Sequence, residues 1–179
     1  PAPGAESALA AQAGENRLSM KEARILCRSV KVYEAKLVYQ LLSNGPAPLL
    51  DNPPAVVAYL AKAFDEFPQQ EQVFVIPVNG RNRPFGRLRI TLGTATASLL
   101  HPREVFRPVI VAWAAVVILA HNHPSGDPSP SRADLEVTRT MAEVARLLDI
   151  VLLDHIIVGH PDDDPHGLGF YSFTEAGLI

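Results

Sequence analysis

Two stretches, AVVILA at 115–120 and IVLLDHIIV at 150–158, are apolar at almost every position, and one amphipathic segment lies between them. A strand with one wet face alternates apolar with polar residues. A run that is apolar throughout fits a central strand covered on both faces. Two such strands joined by a helix over 131–148 predict an α/β fold, a mixed central sheet flanked by helices. The other segments suit that plan. Asn52 can cap a helix over 53–65, with prolines in its first turn. Strands over 71–79 and 83–92 surround NGRN, whose Asn-Gly is a strong hairpin signal. HPREVF at 101–106 starts a helix, although Pro108 removes a donor and would clash in its interior. FYSF at 170–173 ends the chain's strands. A further strand is expected over 30–39, on β-branched and aromatic content.

Composition sets the limits. At 179 residues, with 47% hydrophobic and 20% charged residues, the chain makes one domain with a real core and an appended arm. Residues 1–18 are rich in Ala, Gly and Pro and read as part of a flexible N-terminal arm. The net charge of −3 is not that of a protein built to coat nucleic acid. A single cysteine, Cys27, excludes an internal disulfide and a cysteine-cage metal site. No apolar run reaches the ~18–20 residues that span a bilayer. The first residues lack the basic start and long apolar centre of a secretory signal, so a cytoplasmic setting without a membrane is expected.

The chemistry concentrates after the first buried strand. His121 and His123 are two residues apart, and in extended backbone such side chains point the same way. Pro124 favours extended backbone at His123. A lone His-x-His is a weak signal, since surface loops contain such pairs by chance. The following helix strengthens it. Asp134, Thr138, Met141, Ala145 and Leu148 share one helical face, and the later ones are mostly apolar. Glu136, Arg139, Glu143 and Arg146 share the opposite face. Asp134 therefore heads the inward stripe, where a carboxylate needs a partner. Two histidines at the adjacent strand end supply one through a shared cation. Ser131 and Asp134 also read simply as a helix start, a cap and a charge complementing the dipole. Two nitrogens and one oxygen, with water in the fourth position, is the donor pattern of catalytic zinc.

HNHPSGDPSPSRAD at 121–134 matches the JAMM metalloprotease motif: His-x-His, seven residues, Ser, two residues, Asp. With HPREVF, LLDHIIVG at 152–159 and FYSF, the chain resembles the RadC-like branch of the JAMM/MPN superfamily over about residues 28–179. The resemblance implies a cytidine-deaminase-like fold for 28–179, with 1–27 as the arm. It implies Zn2+ held by His121, His123 and Asp134, and Ser131 stabilising a tetrahedral oxyanion. It also implies an upstream glutamate as general base. Glu71, at the head of the strand EQVFVIPV, is favoured over Glu104 and Glu66, the deciding test being reach to the metal site. The implied reaction is hydrolysis of a peptide or isopeptide bond in a protein or peptide substrate.

The alternative is a DNA-repair-associated, DNA-binding protein or metal-dependent nuclease, and a non-catalytic scaffold is a third reading. The near-neutral charge argues against a nucleic-acid partner, and the complete ligand set argues against a scaffold. A base deaminase would need a His-x-Glu and paired cysteines, which are absent. Asp154 and His155 read either as a satisfied core pair or, one of them, as a partner of the site. The acidic loop at 160–167 reads as solvated rather than as a second ion site. Trp113 is expected in the core. Arg81, Arg83, Arg87 and Arg89 read as an exposed hairpin face, phosphate contact being the sharper alternative. Oligomeric state is not legible.

Overall fold

Five strands form one sheet in the order β2-β1-β3-β4-β5. In this computed structural model the described residues are 46–93 and 100–179. The arm at 1–27, Cys27 and the strand expected over 30–39 lie outside them. The strands are β1 (Glu71–Val78), β2 (Leu88–Gly93), β3 (Val116–Asn122), β4 (Val151–Val158) and β5 (Phe170–Ser172). The helices are α1 (Pro53–Leu60), α2 (Pro102–Val111) and α3 (Arg132–Leu147). β3 and β4 pair in parallel, as the α3 crossover between them requires, and the other pairs are antiparallel. The sheet is mixed and helices flank it, in agreement with the expected fold class.

Strand alternation divides the core in two. Val73, Val75, Val117 and Leu119 face α2 and α3, packing on Val105, Phe106, Val109, Met141 and Ala145. Phe74, Ile76, Ile118 and Ala120 face the other way, against Leu50, Val56 and Leu60 at α1. β1 and β3 are buried along nearly their whole length, which is why their sequences carry no alternation. α1 is capped by Asn52, whose side chain accepts from the Ala55 amide at 2.9 Å, but the helix ends at Leu60 rather than 65. α2 carries Pro108 inside it.

Trp113 corrects an expectation: it is 94% exposed, not core. It sits at φ 55° just past α2, where the Ala114 amide reaches back to the Val109 carbonyl. Asp149 repeats the arrangement after α3, at φ 56°, with the Ile150 amide on the Ala145 carbonyl. In such a left-handed helix ending the turn residue points outward and the next one tucks in. Ala114 and Ile150 accordingly join the core beneath α2 and α3. No helix among the described residues is long and apolar enough to cross a membrane.

Candidate metal centre

His121 lies at the C-terminal end of β3, His123 is the first residue beyond it, and Asp134 is in the first turn of α3. Their Nε2 atoms are 3.2 Å apart. Asp134 Oδ1 is 3.3 Å from His121 Nε2, and Oδ2 is 3.6 Å from His123 Nε2. One donor atom from each residue lies within 4.8 Å of the other two. Among the described residues this is the group of acidic, histidine or cysteine side chains so arranged.

The hydrogen bonds behind the ring nitrogens determine which atoms face inward. Thr138 Oγ1 lies 2.6 Å from the Asp134 backbone carbonyl, which can only accept, so the hydroxyl donates there. The same oxygen then accepts from His155 Nδ1–H at 2.6 Å. That leaves His155 Nε2 bare to accept from His121 Nδ1–H at 2.9 Å. His121 Nε2 is therefore an unprotonated lone pair aimed at a carboxylate. His123 follows the same logic, its Nδ1–H donating to the Asp127 carbonyl at 2.8 Å. Two bare nitrogens and a carboxylate facing one another repel unless they share a cation. The donor set thus fits a metal ion, and the partners on the far nitrogens are of the kind that fix metal-ligating imidazoles.

Charge follows the same geometry. Burial pushes His121 and His155 below the ordinary histidine range, so both are neutral. Burial would also lower His123, but the facing Asp134 carboxylate, the bond to the Asp127 carbonyl and nearby Glu71 raise it overall, a pull that a shared cation at Nε2 would replace. Burial would raise Asp134, yet His121, His123 and Ser131 around it outweigh that and hold its carboxyl far below the usual range. Ser131 makes three contacts with Asp134. Its backbone N–H donates to Oδ2 at 2.8 Å, its hydroxyl donates to Oδ2 at 2.6 Å, and its Oγ faces the Asp134 amide at 3.2 Å. This is a capping box that also aims the carboxylate.

The three candidate glutamates separate clearly. Glu71 Oε1 is 3.9 Å from His121 Nε2. Burial pushes the Glu71 carboxyl up to about 7, with His123 opposing the rise. Glu66 is paired with Arg89 at 2.8 Å, and Glu104 stands in the first turn of α2, 3.9 Å from Arg107.

His155 was readable from sequence only as one of two options, and the structure shows why. Val117 pairs with Leu152 but Ile118 pairs with Asp154, so Leu153 is an extra residue in β4. Such a bulge reverses the alternation beyond it. It turns His155 towards α3 and the metal centre. Asp154 goes to the other face, where it accepts from Ser172 Oγ at 2.6 Å and the Thr174 amide at 3.1 Å. The two are neighbours with separate duties rather than a pair. In the acidic loop, Asp164 accepts from the amides of His166, Leu168 and Gly169, so it orders its own backbone. Arg83 and Arg87 bond to the carbonyls of Ala47 and Tyr59, and Arg89 to Glu66, tying the hairpin to the α1 layer.

A model of the RadC-like JAB domain matches residues 50–178. A UPF0758 protein of Symbiobacterium thermophilum is 45% identical over 142 residues, 77% of this chain and 57% of that protein. One from Syntrophotalea carbinolica is 37% identical over 155 residues, 83% of this chain and 65% of its own length. One from Geobacter sulfurreducens is 42% identical over 111 residues, 62% and 45% respectively. The chain thus spans between 45% and 65% of these three relatives.

Proposed function

The chain belongs to the RadC-like JAB domain family, and from that premise we propose that it is a zinc-dependent hydrolase of peptide or isopeptide bonds. Family membership and the His121, His123 and Asp134 group support metal-dependent hydrolysis of the JAMM type. Zinc as the ion, and the bond cut, are our reading. The observation that carries it is the convergence of two bare imidazole nitrogens and an ionised carboxylate beside a half-buried glutamate.

A zinc ion held by His121, His123 and Asp134 would polarise a substrate carbonyl and bring the pKa of a water towards ~7. The chain's own groups do the rest. Glu71, with a carboxyl raised to about 7, is suited to accept a proton from the attacking water and return it to the leaving amine. His155 and Thr138 hold the His121 ring. Ser131 is exposed at the mouth of the site, and its hydroxyl can turn from Asp134 to the oxyanion formed as the carbonyl is attacked.

The test pairs metal analysis with two substrate screens, one of isopeptide-linked and peptide probes and one of DNA. Zinc-dependent cleavage of the first kind is expected. Cleavage of DNA alone would replace the reading with the nuclease alternative. The arginines around the hairpin do not favour that alternative, since three of the four are bonded within the chain.

A further inference from the structure

Asn122, the middle residue of His-x-His, projects from the sheet away from the metal ligands. Strand alternation places Glu71 and His121 on the α3 face, and Gln72 and Asn122 on the α1 face. The β1–β3 register runs from Val78↔Val116 to Val73↔His121 and goes no further. Beyond it, the Asn122 side chain takes over. Its Oδ1 accepts from the Gln72 amide at 2.8 Å, and its Nδ2 donates to the Gln70 carbonyl at 3.1 Å. A carboxamide has the same donor and acceptor as a peptide group. Asn122 thus continues the ladder by one rung, and that rung brackets Glu71.

The other side of this segment is also held. Gln72 is fully buried, and its Nε2 donates to the carbonyls of Phe64 and Phe67 at 3.0 and 3.1 Å. Its Oε1 accepts from Arg89 at 3.3 Å. Asn122 is itself buried, at 7% exposure. Glu71 heads β1, where a strand end would otherwise fray. On the β2 side it pairs with Gly93, and on the β3 side the atoms that hold it belong to the residue between the two histidines.

We propose that Asn122 is a positioning residue for Glu71: by bonding the peptide groups on both sides of Glu71, it fixes the distance between that carboxylate and the metal ligands. The role given to Glu71 rests on the hydrolase reading above. The bracket itself does not.

Asn122→Ala removes both bonds and leaves His121, His123 and Asp134 in place; Asn122→Asp keeps the acceptor, loses the donor, and serves if the alanine variant folds poorly. We expect faster hydrogen exchange at the Gln72 amide. Hydrolysis of an isopeptide-linked probe should fall about ten- to a hundredfold, with zinc affinity changed by less than about threefold. In a Glu71→Gln background, Asn122→Ala should cost nothing further. Unchanged turnover, or loss of activity in step with loss of zinc, would overturn the proposal. If the unaltered protein cleaves neither probe class, the hydrolase reading fails by itself. The visible absorption of the cobalt-loaded protein then decides. A pH midpoint that moves alike in Asn122→Ala and Glu71→Gln supports the bracket, and one that stays put in Asn122→Ala overturns it.

Discussion

At the scale of single residues, each side chain around the metal centre makes a separable difference. Glu71→Gln keeps the size of the side chain and removes its capacity to take a proton, so zinc should stay and hydrolysis should be lost. An active Glu71→Gln enzyme with a dead Glu104→Gln counterpart would move the base to α2. Ser131 is a cap by geometry, and an oxyanion donor by proposal. Ser131→Ala should lower turnover by about 2.7–4 kcal/mol of transition-state stabilisation if the second role holds. Ser131→Asn separates the two, because Asn caps as well as Ser. Full activity in the Asn variant would leave Ser131 as a cap alone. Thr138→Val removes the acceptor for His155 Nδ1–H. A buried donor left without a partner costs about 1–3 kcal/mol, so denaturant titration should show a loss of that size. Zinc affinity should also weaken by about tenfold or more. The His121, His123 and Asp134 cluster was legible because spacing and helical phase are local patterns. His155 was not, because its facing depends on the bulge at Leu153, a property of two paired strands that no single segment displays.

At the scale of elements, helix ends explain what hydrophobicity misplaced. Trp113 is apolar, yet it fills a left-handed position where glycine is usual. Trp113→Gly should therefore stabilise the fold by about 1 kcal/mol, measured by urea denaturation. A clear loss would mean that the indole packs on something. The loop after β4 shows a converse case. Charge density made residues 160–167 look merely solvated, but three backbone amides gather on Asp164. They hold its carboxyl below the ordinary range, the largest contribution coming from the His166 amide. Its stabilising contribution is thus full above the pKa of an unfolded aspartate and is lost as pH falls through the lowered folded value. Asp164→Asn should lower the melting temperature at neutral pH, and the gap from the unaltered protein should close in acid. A gap that is constant with pH would reject the charge as its source. The same loop is clipped to the metal-site loop where the His160 amide donates to the Gly126 carbonyl at 2.7 Å. A Cβ on Gly159 would lie 2.1 Å from that oxygen, which leaves room for glycine alone.

At the scale of the whole molecule, the sheet order could not be read from sequence, since pairing joins segments far apart in the chain. What sequence did carry was the class, because β1, β3 and β4 lack the alternation of half-wet strands. The apolar layers on both faces are continuous without any contribution from an ion. The fold should therefore persist in chelator, with zinc adding stability by mass action rather than creating it. The central claim is that two bare imidazole nitrogens and the Asp134 carboxylate converge to hold zinc. Its most direct test is zinc content per chain, by elemental analysis, in the unaltered protein and in a His121→Ala/His123→Ala variant of intact fold. One zinc ion is expected in the first and none in the second. Stoichiometric zinc retained by the double variant would contradict it.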